Sequence, residues 1–158
     1  MSPLFYRALV AFLALPGIVA FVVPWLLRPD GSTMDVRGLP VLITGVVLLL
    51  WCVRDFYVAG RGTLAPWAPP EKLVVVGLYR FSRNPMYVAV LLTLTGWSLV
   101  FCGRTLWIYT AAIAVAFHLR VVFGEEPWLA RTHGDAWVAY QSKVPRWLFS
   151  FLHRTSRT

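Results

Sequence analysis

Four stretches of this chain carry no Asp, Glu, Lys or Arg: residues 8–27, 38–53, 84–103 and 105–119. A bilayer core of about 30 Å asks for roughly 20 residues of helix, with a working range of about 17–25. The first and third stretches meet that length unaided. The second reaches about residue 57 if Arg54 snorkels to the head groups. The fourth reaches about residue 123 if Arg120 does the same or faces the bundle interior. We therefore expect an all-α fold: an integral membrane bundle of about four transmembrane helices at residues 8–27, 38–57, 85–103 and 105–123. A cytoplasmic loop and a C-terminal helical cap complete a single domain over residues 1–158. Composition agrees, because 58% of the 158 residues are hydrophobic and only 14% charged, too apolar for a soluble domain of this size. A cleaved signal peptide is disfavoured in the first stretch by its length, by Pro16 and Pro24, and by the lack of an A-x-A site after it.

The formal charge of +8 is unevenly distributed. With four spans, one side of the membrane receives Arg7, Arg61, Lys72, Arg80, Arg83, Arg131, Lys143, Arg146, Arg154 and Arg157, and the other only Arg28, Arg37 and Arg104. The positive-inside rule then puts both termini in the cytoplasm, in a bacterial inner membrane. The basic residues flank apolar spans and alternate with Trp and Tyr, a pattern that fits anionic lipid head groups rather than nucleic acid. Two cysteines are too few for a disulfide framework, and four spans put Cys52 and Cys102 toward opposite faces. His118, His133 and His153 are scattered without metal-ligand spacing, so no metal site is expected.

The outer face is nearly bare, since residues 28–38 form a short connector and Gly103 with Arg104 closes a hairpin between spans three and four. The inner face is richer. Its segments, cofactor-region candidates at 60–85 and 120–147, together could roof the inner membrane surface. Pro66, Pro69 and Pro70 preclude regular helix in the first of them. Long irregular loops in a compact protein are commonly functional.

The segment GLYRFSRNPMYVAV, residues 77–90, places polar side chains where span three begins. Asn84 and Pro85 suit a helix N-cap and first position, and Gly77 suits a positive-φ bend. Tyr79, Arg83 and Tyr87 have a bland reading as belt and head-group anchors. A second cluster, His118, Arg120, Glu125 and Glu126, falls at the end of span four. The adjacent glutamates either favour the positive end of a helix starting at Pro127 or meet a cation. That cation is Arg80, Arg83 or Arg120, or else an ammonium or sulfonium on a ligand. Because spans three and four form a hairpin, Tyr79, Arg83, Asn84 and Tyr87 should approach Arg120, Glu125 and Glu126. The resulting pocket suits a zwitterionic, aromatic ligand beside an apolar one. Neither a G-x-S-x-G elbow nor a P-loop is present in the sequence, which leaves hydrolysis and phosphoryl transfer without support.

The block running from Gly77 through Tyr79, Arg83, Asn84 and Pro85 to Tyr87 is followed by Glu125, Glu126 and Leu129, then His133, Gly134, Trp137 and Tyr140, then Val144, Pro145 and Arg146. In order and spacing this set resembles the isoprenylcysteine carboxyl methyltransferase family and the related phospholipid N-methyltransferases. With Gly60, Gly62, Thr63 and Pro66 upstream, it covers about half of the chain. The resemblance implies an integral membrane enzyme that uses S-adenosyl-L-methionine without a Rossmann domain. It implies that Lys72, Leu73, Val74, Gly77, Tyr79, Arg83, Asn84, Pro85 and Tyr87 line the cofactor pocket and that Glu125 and Glu126 hold the cofactor's methionine end. Arg120 is expected to orient the acceptor, and His118 is the candidate base should the acceptor be an amine or hydroxyl. Asn84 stands where many relatives have His, Ala89 where Gly often follows the second tyrosine, and His133 and Trp137 replace Phe and Tyr. The first of these departures bears on a cofactor hydrogen bond and the others on packing or acceptor shape, so the resemblance implies methyl transfer more firmly than any one acceptor. The expected partners are S-adenosylmethionine, a lipophilic or prenylated acceptor and membrane lipids. Two other readings stay open at this level: a scaffold whose basic face binds anionic lipid or a partner protein, and a sterol-reductase-like membrane enzyme.

Overall fold

The computed structural model describes residues 13–59 and 73–147; Lys72, Gly60, Gly62, Thr63, Pro66 and the start of the first expected span lie outside them. Among the described residues the chain is helical and has no strand. Helix α1 is wound as a π-helix over Leu13–Val22 and passes into a regular turn at Val23–Leu26. Helix α2 is Leu39–Ala59, α3 is Pro85–Phe101, α4 is Arg104–Arg120 and α5 is Glu126–Gln141. A π-turn, Val121–Glu125, joins α4 to α5.

The core is an antiparallel pairing of α2 with α3, and small residues set its closeness. A Cβ added to Gly96 would stand 2.4 Å from Leu42 Cα, and one added to Gly45 would stand 2.5 Å from Thr93 N. Along the same seam Gly38 abuts the backbone of Val100. Leu49 shares a buried cluster with Ala89, Val90 and Leu94, and Met86 packs on the cluster holding Cys52. The facing residues thus recur at alternating intervals of four and three on both helices, the spacing of a helix-helix seam. Glycines that allow backbones to touch are the usual basis of packing between apolar helices in a bilayer, where dispersion contacts rather than water expulsion hold helices together. Gly45 and Gly96 therefore serve a contact within the chain.

Helix α1 is tied on through its backbone. Pro24 has no N–H, so it can serve neither the carbonyl four residues back, Ala20, nor the one five back, Val19. Both are taken by side chains from the neighbours: Trp97 Nε1 donates to Ala20 O at 2.9 Å and the Tyr109 hydroxyl to Val19 O at 3.1 Å. In an apolar surrounding those acceptors need partners from the protein itself.

The α3–α4 hairpin is as short as the sequence suggests, with Cys102 in the left-handed region at φ 49° and Gly103 preceding α4. The fourth expected span and the C-terminal cap are not separate. The apolar helical stretch runs on as Arg104–Gln141, 38 residues, with two irregularities. Pro127 cannot donate to the carbonyl of Phe123, and the ladder slips there so that Glu126 N donates to Val121 O, one residue further back than in an α-helix. Gly134, at φ 47° and ψ −123°, then breaks α5 in a conformation other residues rarely adopt. Beyond it Trp137, Tyr140 and Val144 pack against Leu73 and Leu129.

Two helical stretches, Val36–Asp55 and Arg104–Gln141, are long and apolar enough to cross a membrane; Pro16–Leu26 and Pro85–Phe101 are shorter. Span two matches its expected bounds closely, and span three ends at Phe101 because the chain turns at Cys102.

If the seam governs the fold, Gly96→Leu should cost about 2–3 kcal/mol or more through overpacking against the Leu42 backbone. Thermal unfolding in detergent should show the midpoint falling, whereas Val115→Leu on the exposed face of α4 should leave it in place.

Candidate functional site

The site gathers where α3 begins and α4 passes into α5. The approach to α3 is a 3₁₀ turn, Gly77–Arg80, entered through Gly77 at φ 56°. This is the positive-φ bend expected there. Gly77 also lies against a carboxylate: a Cβ at that position would fall 1.9 Å from Asp55 Oδ2. Tyr79 is 6% exposed, in a cluster with Cys52 and Val74, and its carbonyl accepts from the Tyr140 hydroxyl at 2.6 Å. Burial pushes the Tyr79 hydroxyl well above its ordinary pKa.

The next three residues dock on the segment after α5. Ser82 Oγ donates to Trp147 O at 2.7 Å, Arg83 N donates to Pro145 O at 2.9 Å, and Asn84 Nδ2 donates to Arg146 O at 3.0 Å. Asn84 occupies the N-cap position of α3, but its side chain makes no cap hydrogen bond. Its amide is spent on the Val144–Arg146 segment, and Pro85 at the first position removes one donor that would need a cap.

Two carboxylates organise the remaining groups. Glu125 Oε1 accepts hydrogen bonds from the Tyr87 hydroxyl and from Arg120 Nε, the latter at 2.8 Å. Arg120 Nε also lies 3.1 Å from the Tyr87 hydroxyl, and the Tyr87 ring packs on Phe117 with centroids 4.3 Å apart. Glu126 is held by two guanidiniums. Arg146 meets it in a bidentate pair, Nε to Oε1 and Nη2 to Oε2, both at 2.8 Å, and Arg83 Nη1 stands 3.0 Å from Oε1. Paired in this way, the Arg146 guanidinium is held above its ordinary pKa. Arg83 lies under cover, and burial lowers its pKa while Glu126 opposes that shift and Arg146 adds to it. The Trp137 ring lies beneath the Arg83 guanidinium at 5.4 Å.

The structure therefore brings Arg83, Asn84, Tyr87, Arg120, Glu125 and Glu126 into one region, as the hairpin argument expects. Leu73 and Val74 sit at its edge in the two flanking apolar clusters, with Gly77, Tyr79 and Pro85 buried or half-buried beside them. His118 is exposed, its ring 5.9 Å from that of Trp147, and it makes no hydrogen bond among the described residues. Arg146 and Asp55 were not foreseen as site residues. Arg146 could have been found from the Val144, Pro145, Arg146 run, one of the segments that carry the resemblance. Asp55 could have been found as a carboxylate at the end of an otherwise apolar span; it is 6% exposed, with Arg54 Nη1 3.6 Å from Oδ1 and no hydrogen bond to Oδ2 among the described residues.

The profile of the phospholipid methyltransferase family matches residues 34–136, most of the described chain, and the protein belongs to that family. The match takes in α2, the 77–84 turn, both glutamates and Gly134. Of the two families the sequence resembles, the phospholipid branch is the one matched, and its members are methyltransferases. No curated protein and no solved structure matches the chain.

Glu126 is the counter-ion of a buried arginine, so Glu126→Gln should destabilise by about 3 kcal/mol, since removing one partner strands the other charge. Glu125→Gln, at a carboxylate one-third exposed, should cost about 1 kcal/mol or less. Denaturant unfolding in detergent should show that order, and a larger loss in Glu125→Gln would refute the assignment.

Proposed function

We propose that this chain is an S-adenosyl-L-methionine-dependent methyltransferase acting on a lipophilic acceptor, a lipid or an isoprenylcysteine-like carboxylate, that arrives from the bilayer. The observation that carries the reading is the pairing of Tyr87, Arg120 and Glu125 at the membrane end of α3 and α4, inside the segment matched by a methyltransferase family. Excess Arg and Lys on the side that holds this region supports a cytoplasmic active face, with four spans and both termini inside.

The residues present fit the cofactor's chemistry. Glu125 commits one oxygen, Oε1, to Tyr87 and Arg120, and Oε2 has no partner among the described residues. An open carboxylate oxygen suits the cofactor's ammonium. Glu126 has both oxygens engaged, so Glu125 is the stronger of the two expected ligands. The apolar wall of Leu73 and Val74, with Tyr79 and Tyr87, offers surface to an adenine ring, and Gly77, Asn84 and Pro85 shape the turn that carries it.

When bound, S-adenosylmethionine supplies an electrophilic methyl group on a sulfonium. The protein's share of such a displacement is positioning and exclusion of water, worth far more than acid-base help when the acceptor is already an anion. Arg120, 53% exposed, fixes Glu125 and faces outward, where it can orient an anionic acceptor. His118, exposed at the same end of α4, is the group available to take a proton from an amine or hydroxyl acceptor.

Isothermal titration of the detergent-solubilised chain with S-adenosylhomocysteine should give saturable binding, weakened about tenfold or more by Glu125→Ala through loss of a charge-assisted hydrogen bond. Absence of binding to the parent chain would overturn the proposal.

A further inference from the structure

The two glutamates build hubs of different charge. Around Glu125 one guanidinium faces one carboxylate, with the neutral Tyr87 hydroxyl as third member. Around Glu126 two guanidiniums, Arg83 and Arg146, face a single carboxylate. The second hub thus carries an uncompensated positive charge, with its inner half under cover: the Arg83 side chain is 9% exposed and that of Glu126 12%, while Arg146 closes the hub at 34%. Its donors are also incompletely used. Among the described residues Arg83 Nε has no hydrogen bond, and Nη1, though within ion-pair distance of Glu126, makes none. Arg146 commits Nε and Nη2 to Glu126, which leaves Nη1 without a partner among the described residues. Burying a charge with unmet donors is costly unless an acceptor arrives to meet them.

We infer that Arg83 and Arg146, bridged by Glu126, form a subsite for a singly charged oxyanion, the phosphodiester of the acceptor lipid. This rests on the methyltransferase reading above and divides its site in two. The cofactor carries a sulfonium and an ammonium against one carboxylate, a net cation, and the neutral Glu125 hub with its open oxygen accepts that charge better than the cationic one. A phospholipid acceptor, the class named by the matched family, brings a phosphate anion wherever its head group goes. Guanidinium groups recognise phosphate through paired N–H donors, and Glu126 holds the two guanidiniums side by side on one carboxylate. The Trp137 ring under Arg83 closes one face of that guanidinium and leaves its in-plane donors to do the binding. The hub lies beside the start of α3, the level of a membrane end, where phosphates of bilayer lipids reside.

The test uses the full chain in a non-ionic detergent and four titrants: dihexanoyl phosphatidylglycerol, dihexanoylglycerol, inorganic phosphate and S-adenosylhomocysteine. The phosphatidylglycerol should bind and dihexanoylglycerol, which lacks the phosphate, should not. Arg146→Gln should weaken the phospholipid about tenfold or more, as loss of a charge-assisted pair does, and leave S-adenosylhomocysteine within about twofold. Arg146→Lys, which keeps the charge without the fork, should fall between, and it serves as the reading variant should Arg146→Gln not fold. Arg131→Gln, an exposed arginine on α5, should change neither affinity. Loss of S-adenosylhomocysteine binding in the Arg146 variants would give the hub to the cofactor's carboxylate and overturn the inference. Equal phospholipid losses in Arg131→Gln would reduce it to surface attraction and overturn it as well. Inorganic phosphate binding as tightly as the phospholipid would assign the site to free phosphate instead of lipid. Failure of the parent chain to bind S-adenosylhomocysteine while Arg146-dependent phospholipid binding persists would count against the methyltransferase reading alone.

Discussion

The close contact between α2 and α3 sets the frame for everything else. Glycines at 45 and 96 let the two backbones meet, and the register they fix pairs Gly38 with Val100 at one end and Cys52 with Met86 at the other. Once Cys52 and Met86 are level, the turn that precedes α3 has to pass over the end of α2. That is why Gly77 lies on Asp55 and why Tyr79 is buried beside Cys52. A bulkier residue in the seam would push the helices apart and, with them, the platform on which the polar residues of the turn are mounted.

Around that pair the structure is governed by the need to satisfy backbone polar groups in an apolar setting. Three prolines show how this need is met. Pro24 is answered by Trp97 and Tyr109, which fasten α1 to α3 and α4 at the same time. Pro85 falls where an N–H is superfluous, which frees the Asn84 amide to reach across to Arg146. Pro127 is answered by a π-turn. Defects in helical hydrogen bonding are thus the places where tertiary structure is attached.

Much of this was legible in the sequence, and what was not has definite physical causes. Charge-free runs located α2, α3 and α4 because burial in lipid or in a bundle excludes ionised groups. The two-residue hairpin at Gly103 and Arg104 correctly implied that Tyr87 and Arg83 would meet Glu125 and Glu126. The end of span four was not legible, because helix periodicity does not register a π-slip, and a Gly within an amphipathic run does not reveal its sign of φ until the chain is folded. Asn84 was a fair N-cap by residue type, yet its Nδ2 donates to the long-range carbonyl of Arg146 and its Oδ1 makes no cap hydrogen bond. Arg146 itself sits 20 residues from Glu126, and no local pattern couples them; the break at Gly134 and the turn after Gln141 both lie between the two.

Adjacent glutamates on a regular helix point about 100° apart, so they cannot serve one ligand atom together. Here that separation is useful. Glu125 turns toward α3 and the end of α4, while Glu126 turns toward the docked segments at 82–84 and 145–147. The π-turn makes the division possible, since the extra residue in that turn rotates everything after it relative to α4, and Arg120 then reaches Glu125 five residues on rather than four. Had Pro127 been an ordinary helix former, the ladder would have had no cause to slip, and α5 would have continued in the phase of α4. The proline that starts a helix thereby also sets the phase in which the neutral and the cationic carboxylate hubs meet their partners.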